Sequence, residues 1–230
     1  MTTRILLLVS IVALLTACSA KQELPDISFD GLERLSTKQV NTAYIDPNAD
    51  FGVYRRIAIL EPAVSFRANW QRDQNRSRTQ RINDADMERI KKDVASLLEA
   101  SFRQALEAGN GYEIVNTAGP DVLVLRPAIV NLDVSAPDKS TAGRSLTFAA
   151  SAGSATLYLE LFDSTSGAII GRAIDRRGNR RGADNFYWAN SVSNSAEAKR
   201  IMLRWGKILR GFLDDAYLQH LDLQEVAEEL

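Results

Sequence analysis

Leu157-Tyr158-Leu159-Glu160-Leu161-Phe162-Asp163-Ser164-Thr165-Ser166-Gly167 is the stretch that decides the fold class of this chain. Leu157, Leu159 and Leu161 alternate with Tyr158, Glu160 and Phe162, the period of a strand with one buried face. The polar run 163–167 ends in glycine and predicts a hairpin turn into a second strand over residues 168–174.

Upstream, Arg56-Ile57-Ala58-Ile59-Leu60-Glu61-Pro62 reads as a short buried strand stopped by its proline. Phe51 and Tyr54, just before it, offer aromatic anchors, and Asp46-Pro47 signals a turn. Residues 112–115 predict a short strand and Gly119-Pro120-Asp121 a turn. Residues 122–134 form a longer apolar run that Pro127 should bend or place at a sheet edge. The loop expected over 135–144 leads into an Ala/Ser/Gly-rich stretch, 145–154, readable as a strand with one crowded face.

Two helices complete the pattern. Asn83 can cap a helix over 84–108, with Asp84 and Asp86 favourable at its positive end. Met87, Ile90, Val94, Leu97, Leu98 and Ser101 recur at helical spacing, extended by Phe102, Ala105 and Leu106. Gly109 is placed to end it in a left-handed conformation. A final helix, expected to start after Asn194 or Ser195, carries Ile201, Leu203, Trp205, Ile208, Leu209 and Phe212. Gly206 and Gly211 would each cost it about 1 kcal/mol relative to alanine, which close packing against the sheet would explain. The order of elements predicts an α/β fold: a single domain with a mixed β-sheet packed by a long helix and a C-terminal helix.

The amino terminus carries an address. Arg4 precedes an almost uninterrupted apolar run of 11 residues, 5–15, and Leu15-Thr16-Ala17 leads into Cys18, the one cysteine of the 230 residues. This resembles a secretory leader closed by the bacterial lipobox. A membrane-spanning helix would need about 20 apolar residues, and Gln22 and Glu23 arrive too soon. The lipobox resemblance implies residues 1–17 as a lipoprotein signal peptide and a diacylglyceryl thioether on Cys18, usually with a third acyl chain (palmitate among the candidates) on its amine. Two or three chains anchor a protein stably where one does not. Ser19 at the next position, by the same resemblance, favours the outer membrane with the domain on its periplasmic face. Residues 18–41 are polar and aperiodic and read as lipidated cysteine and tether, with 42–230 as the periplasmic α/β domain.

Composition narrows the function. A formal charge of −1 and 25% charged residues argue against nucleic acid as a partner. Acylation would use the only thiol. The single histidine, His220, sits in a C-terminal helix read as exposed, without a nucleophile to pair with. Ser-x-x-Lys and Gly-x-Ser-x-Gly do not occur, and Gly109-Asn110-Gly111 follows a helix instead of opening one, unlike a phosphate loop. Cysteine- or histidine-rich metal sites are excluded by composition. Asp84 with Asp86, and Asp214 with Asp215, read better as a helix cap and a solvated face than as paired acids or ligands. The expectation is therefore no enzyme, no metal and no cofactor.

Several motifs together resemble an uncharacterised family of Gram-negative envelope lipoproteins known only as a domain of unknown function. They are the Asp46-Pro47-x-Ala49-Asp50-Phe51-x-x-Tyr54 opening, the first strand ending at Pro62, the Asp121-to-Pro127 strand and the Trp205 helix. The resemblance spans roughly residues 40–220 and brings no assigned reaction. More distantly, the element order resembles small α/β domains of lipoproteins that assist envelope machines, an analogy of fold only.

Two arginine-aromatic stretches are the candidate binding sites. Phe66, Arg67, Trp70, Arg72, Arg76, Arg78 and Arg81 set five arginines against Asp73 alone. Arg172, Arg176, Arg177, Arg180 and Arg181, with Asp175 among them, run into Phe186-Tyr187-Trp188. Guanidinium groups contact phosphates and carboxylates bidentately, and aromatics supply rigid contact area. Solvated loops whose aromatics return to the core are the plainer reading. The leading expectation is a non-catalytic docking module for an envelope protein or anionic envelope polymer, membrane-held through Cys18. An oligomeric subunit or assembly factor of an outer-membrane machine, its 145–154 segment packed between subunits, and a carboxylate-dependent glycan hydrolase are the alternatives. The oligomeric state is left open.

Overall fold

A computed structural model describes residues 24–76, 78–135, 149–178 and 191–228. The expected leader with Cys18, the 136–148 stretch, and Arg180, Arg181 and Trp188 lie outside the described residues.

Eight strands form one mixed sheet: β1 (Glu33–Leu35), β2 (Thr42–Ile45), β3 (Arg56–Ile59), β4 (Ala63–Phe66), β5 (Glu113–Ile114), β6 (Val122–Ser135), β7 (Ala149–Asp163) and β8 (Ile169–Gly178). Their order is β1-β2-β8-β7-β6-β3-β5, with β4 also paired to β6. The pairs β3–β5, β3–β6 and β4–β6 are parallel and the others antiparallel. Three helices are described: α1 (Trp70–Asn75), α2 (Asp84–Leu106) and α3 (Ser191–Glu228).

The decisive hairpin has the predicted period. Leu157, Leu159 and Leu161 are buried in the core, while Tyr158 and Phe162 are half-buried on the opposite face. Asp163 closes the turn by accepting from the backbone N–H of Thr165 and Ser166, and Gly167 takes φ +70°. In β6 Leu123, Leu125, Pro127 and Ile129 are buried in alternation and then Leu132, with Val122 buried at the strand's start. Asn131, at φ +54°, sits where the β6–β7 register slips between Val130 and Asp133. One extra residue reverses strand parity, which keeps Leu132 on the core face.

Pro127 lies in the middle of the sheet, not at its edge. Leu125 accepts from Leu60 N–H on the β3 side. Backbone polar groups alternate sides along a strand, so the nitrogen of Pro127 faces that same side. There β3 has ended opposite Leu125, and β4 begins opposite Ala128. The proline occupies the gap where no ladder bond is required.

The core fills one face of the sheet. Ile90, Val94, Leu98, Phe102 and Leu106 of α2 and Met202, Trp205, Leu209 and Leu213 of α3 pack with Leu123, Leu125, Leu157 and Leu159. Asn83 and Asp86 form a reciprocal capping box on α2, and Gly109 takes φ +62° after it. A Cβ on Gly206 would stand 2.7 Å from Ala105 Cβ, so this glycine permits close contact with α2, not with the sheet as expected. Around Gly211 the space is open, so packing does not account for it.

Three other expectations are corrected. Residues 24–41, read as tether, are bound to the domain: β1 pairs with β2, and Leu32 is buried. Those strands are three and four residues long, too short for a period to show. The first arginine-aromatic stretch, expected as a solvated loop on the plainer reading, starts at the end of β4 and contains α1. The last helix begins at Ser191, ahead of the point expected, because its opening turns are polar and carry no apolar stripe. It runs 38 residues, about 57 Å at 1.5 Å per residue. Among the described residues no helix is long and apolar enough to cross a membrane.

Candidate functional site

The sheet face away from α2 and α3 carries a row of charges that sheet pairing brings into register. Arg126 lies opposite Glu160, Glu160 opposite Arg172, Arg172 opposite Tyr44, and Tyr44 opposite Arg34. Each is an outward position of its strand, so cross-strand neighbours of opposite sign meet. Arg126 Nε donates to Glu160 Oε2 at 2.8 Å, and Arg172 Nη2 donates to Glu160 Oε1 at 3.1 Å.

Arg172 is the centre of the row, with only 6% of its surface exposed. A second carboxylate reaches it from the N-terminal segment: Nη1 donates to Asp30 Oδ1 at 3.1 Å, and Nη2 bonds Oδ2. Its guanidinium carbon also stands 5.0 Å from the Phe29 ring centroid and 5.7 Å from that of Tyr158. Arg172 hydrogen bonds hold Asp30 below its ordinary carboxylate range. For Glu160, burial pushes the carboxyl up, but hydrogen bonds from Arg126 and Arg172 outweigh it and the net shift is downward. A buried arginine between two carboxylates keeps its charge compensated. The network fastens residues 24–32 to the sheet, aided by Tyr44 Oη donating to the Pro25 carbonyl at 2.9 Å.

The predicted arginines divide by position. Arg67 is paired with Asp73 at 2.8 Å and Asp133 at 2.9 Å. Arg72 and Arg76 also face Asp73, at 3.2 and 3.9 Å, with exposed side chains. Arg78 and Arg81 each hold an interaction within the fold. Asp73 and Asp133 thus offset much of the positive charge counted along the chain. Arg176 is exposed on the open face, while Arg177 turns to the helix face and donates to Asp175 at 2.6 Å.

Trp70 is corrected outright as a binding residue. It is 1% exposed, stacks on Phe66 with centroids 4.0 Å apart, and donates its indole N–H to the Val134 carbonyl at 2.7 Å. An aromatic among arginines looks the same in sequence whether it faces solvent or core.

A small cavity of about 50 Å³ lies between the helices and the ends of β6 and β7. Val94, Leu97, Ile129, Ile201, Met202 and Trp205 contribute to its apolar lining, with Arg177 beside them. It is too small for the drug-sized ligands that occupy pockets of several hundred Å³.

His220, read as exposed and alone, meets two polar side chains. Nδ1 lies 2.6 Å from Asp50 Oδ2, and Nε2 lies 2.9 Å from Gln224 Nε2. The Asp50 contact ties α3 to the segment preceding β3. Among the described residues no group of three or more His, Cys, Asp or Glu side chains is placed to hold a metal ion. The charge row was the feature that sequence reasoning missed. Its signal was a charge set between apolar or small neighbours: Leu125-Arg126-Pro127, Leu159-Glu160-Leu161 and Gly171-Arg172-Ala173.

Residues 24–209 match the family described as Protein of unknown function (DUF3313), and the chain belongs to that family. No curated protein matches the chain. Among solved structures it is similar to protein XCC0632 of Xanthomonas campestris, at 12% identity and TM-score 0.44, covering 77% of this chain and 93% of that one. The PelC dodecamer of Paraburkholderia phytofirmans shows 13% identity and TM-score 0.37 over 74% and 96% of the two chains. A candidate lipoprotein of Caulobacter crescentus CB15 shows 10% identity and TM-score 0.32 over 75% and 93%. At these values the likenesses assign no function to this chain.

Proposed function

We propose that this protein is a non-catalytic lipoprotein of the cell envelope, acylated on Cys18 and held at the periplasmic face of the outer membrane. Its α/β domain acts there as a docking module. The carrying observation is Leu15-Thr16-Ala17-Cys18 behind its apolar leader, a few residues ahead of a segment fastened to the sheet by Asp30 and Arg172. A domain tied so close to its anchor presents surfaces to the envelope. The engagement of His220 by Asp50 and Gln224 supports a structural use of the one histidine.

The docking residues we assign are the exposed Arg72 and Arg76 at α1 and the exposed Arg176 of β8, and Arg180, Arg181 and Trp188 stay candidates from the sequence. Phosphate or carboxylate groups on an envelope protein or polymer are the chemistry it fits.

Metabolic labelling with an alkyne fatty acid tests the anchor: Cys18→Ser should lose both label and membrane fractionation, and retained label would refute acylation at this position. Photo-crosslinking from Arg72, Arg176 and Trp188 positions in living cells tests docking. A discrete protein adduct or a polymer smear supports it, and no adduct from any of the three overturns this surface.

A further inference from the structure

We infer that the turn carrying Leu24, Ile27 and Phe29 is a membrane-contact element, whose apolar side chains enter the lipid interface beside the acyl anchor. This rests on the acylation of Cys18 proposed above.

Eight large apolar side chains are exposed among the described residues, and three of them fall within residues 24–29. Leu24 is 47% exposed, Ile27 61% and Phe29 92%. Apolar residues scattered singly over a surface need no explanation, but a local group does.

The exposure of Phe29 is built into the fold. Ser28 N–H donates to the Leu32 carbonyl at 2.8 Å, Gly31 N–H to the Ser28 carbonyl at 3.0 Å, and Leu32 N–H to Ser28 Oγ at 3.0 Å. Gly31 takes φ +85° to close this turn. Asp30, next to Phe29, is bound to Arg172, and Leu32 is buried. Both flanks are therefore fastened, and the phenylalanine stands at the tip of a rigid turn. Ile27 bridges to Glu33, and Arg34 Nη1 donates to the Leu24 carbonyl at 3.4 Å, so the other two members belong to the same ordered segment.

Chain length names the occupant. Six residue steps separate Cys18 from Leu24, a span of at most about 20 Å fully extended. The acyl chains hold Cys18 at the bilayer surface, so the segment beginning at Leu24 is confined near the headgroup region. Phenylalanine, isoleucine and leucine gain by entering that region. Charge does not select the lipid: Asp26, Asp30 and Glu33 accompany Arg34 and Arg172 here. The interaction is apolar insertion, and zwitterionic lipid is sufficient.

The test uses the full acylated chain reconstituted into phosphatidylcholine vesicles, with and without brominated acyl chains. Acylation occupies the Cys18 sulfur, so Phe29→Cys supplies a single thiol for a bimane probe. Thr165→Cys in the β7–β8 turn and Leu223→Cys near the end of α3 are the controls. The expected result is quenching by bromolipid at position 29 at least about twofold greater than at both controls. Equal quenching at all three positions, in protein that floats with the vesicles, overturns the membrane contact and leaves the anchor standing. Protein that neither floats nor carries acyl mass on its N-terminal peptide overturns both. A position-29 probe that becomes shielded without lipid as protein concentration rises assigns the turn to a second copy and also overturns the proposal.

Discussion

Trp205 of α3 donates its indole N–H to the carboxylate of Asp175 in β8, across 2.8 Å and out of contact with solvent. The same carboxylate accepts from Arg177 Nε at 2.6 Å and from the Asn41 backbone N–H at 3.1 Å. A helix, a central strand and the approach to β2 converge on one buried side chain. Buried carboxylates are tolerated where donors surround them, and this one joins three distant parts of the chain.

Replacing it should be severe. Asp175→Ala leaves the buried Trp205 indole and the Asn41 N–H without their acceptor, a loss of about 3–5 kcal/mol by the cost of breaking buried polar pairs. Urea denaturation followed by tryptophan fluorescence measures it. A loss smaller than about 1 kcal/mol would show that the helix and sheet are held without this junction.

The two glycines of α3 should respond with opposite sign. Gly206→Ala drives a methyl against Ala105 Cβ and toward Phe102 Cα, 3.3 Å away, and is expected to destabilise by about 1–3 kcal/mol. Gly211→Ala meets open space and is expected to stabilise by up to about 1 kcal/mol. Thermal melts of the two variants side by side check this, and the same sign for both would contradict the packing.

Trp70 and its arginine neighbours separate core from surface. Trp70→Ala removes a buried aromatic and its bond to Val134, costing about 3–5 kcal/mol. Arg72→Ser with Arg76→Ser removes exposed partners of Asp73, whose contribution solvent screening keeps small. Guanidinium-chloride midpoints should therefore fall steeply for the first variant and little for the second.

The tie between Asp30 and Arg172 predicts a pH dependence. The Arg172 hydrogen bond lowers the folded-state pKa of Asp30 below its unfolded value of about 3.9. The pair therefore contributes its full stability above that value and loses it as pH falls through the folded pKa. The stability difference between the wild type and Asp30→Asn should be constant from about pH 5 to 8 and shrink below about pH 4. Hydrogen exchange at Leu32 and Arg34 should accelerate over the same acidic range. A difference that widened on acidification would reverse the sign and refute the pairing.

Much of this architecture is legible in sequence because its determinants are local. The alternation at Leu157, Leu159 and Leu161, the Asn83 cap and the 163–167 turn each depend on residues within one strand or one helical turn. Pro127 was misplaced because a proline reports only that its nitrogen needs no acceptor, and here a gap between β3 and β4 meets that condition. Residues 24–41 were read as tether because β1 is held only through β2, whose own partner β8 lies more than a hundred residues away.

The sequence by itself determined the helix caps, the hairpin and the mixed α/β class, since hydrophobic period and turn chemistry act over short distances. Only the tertiary structure decided that Trp70 faces inward, that Asp30 reaches Arg172 and that His220 meets Asp50 across 170 positions. Those contacts depend on which strands lie side by side, and a charge or ring in a sequence carries no mark of the distant group that will satisfy it.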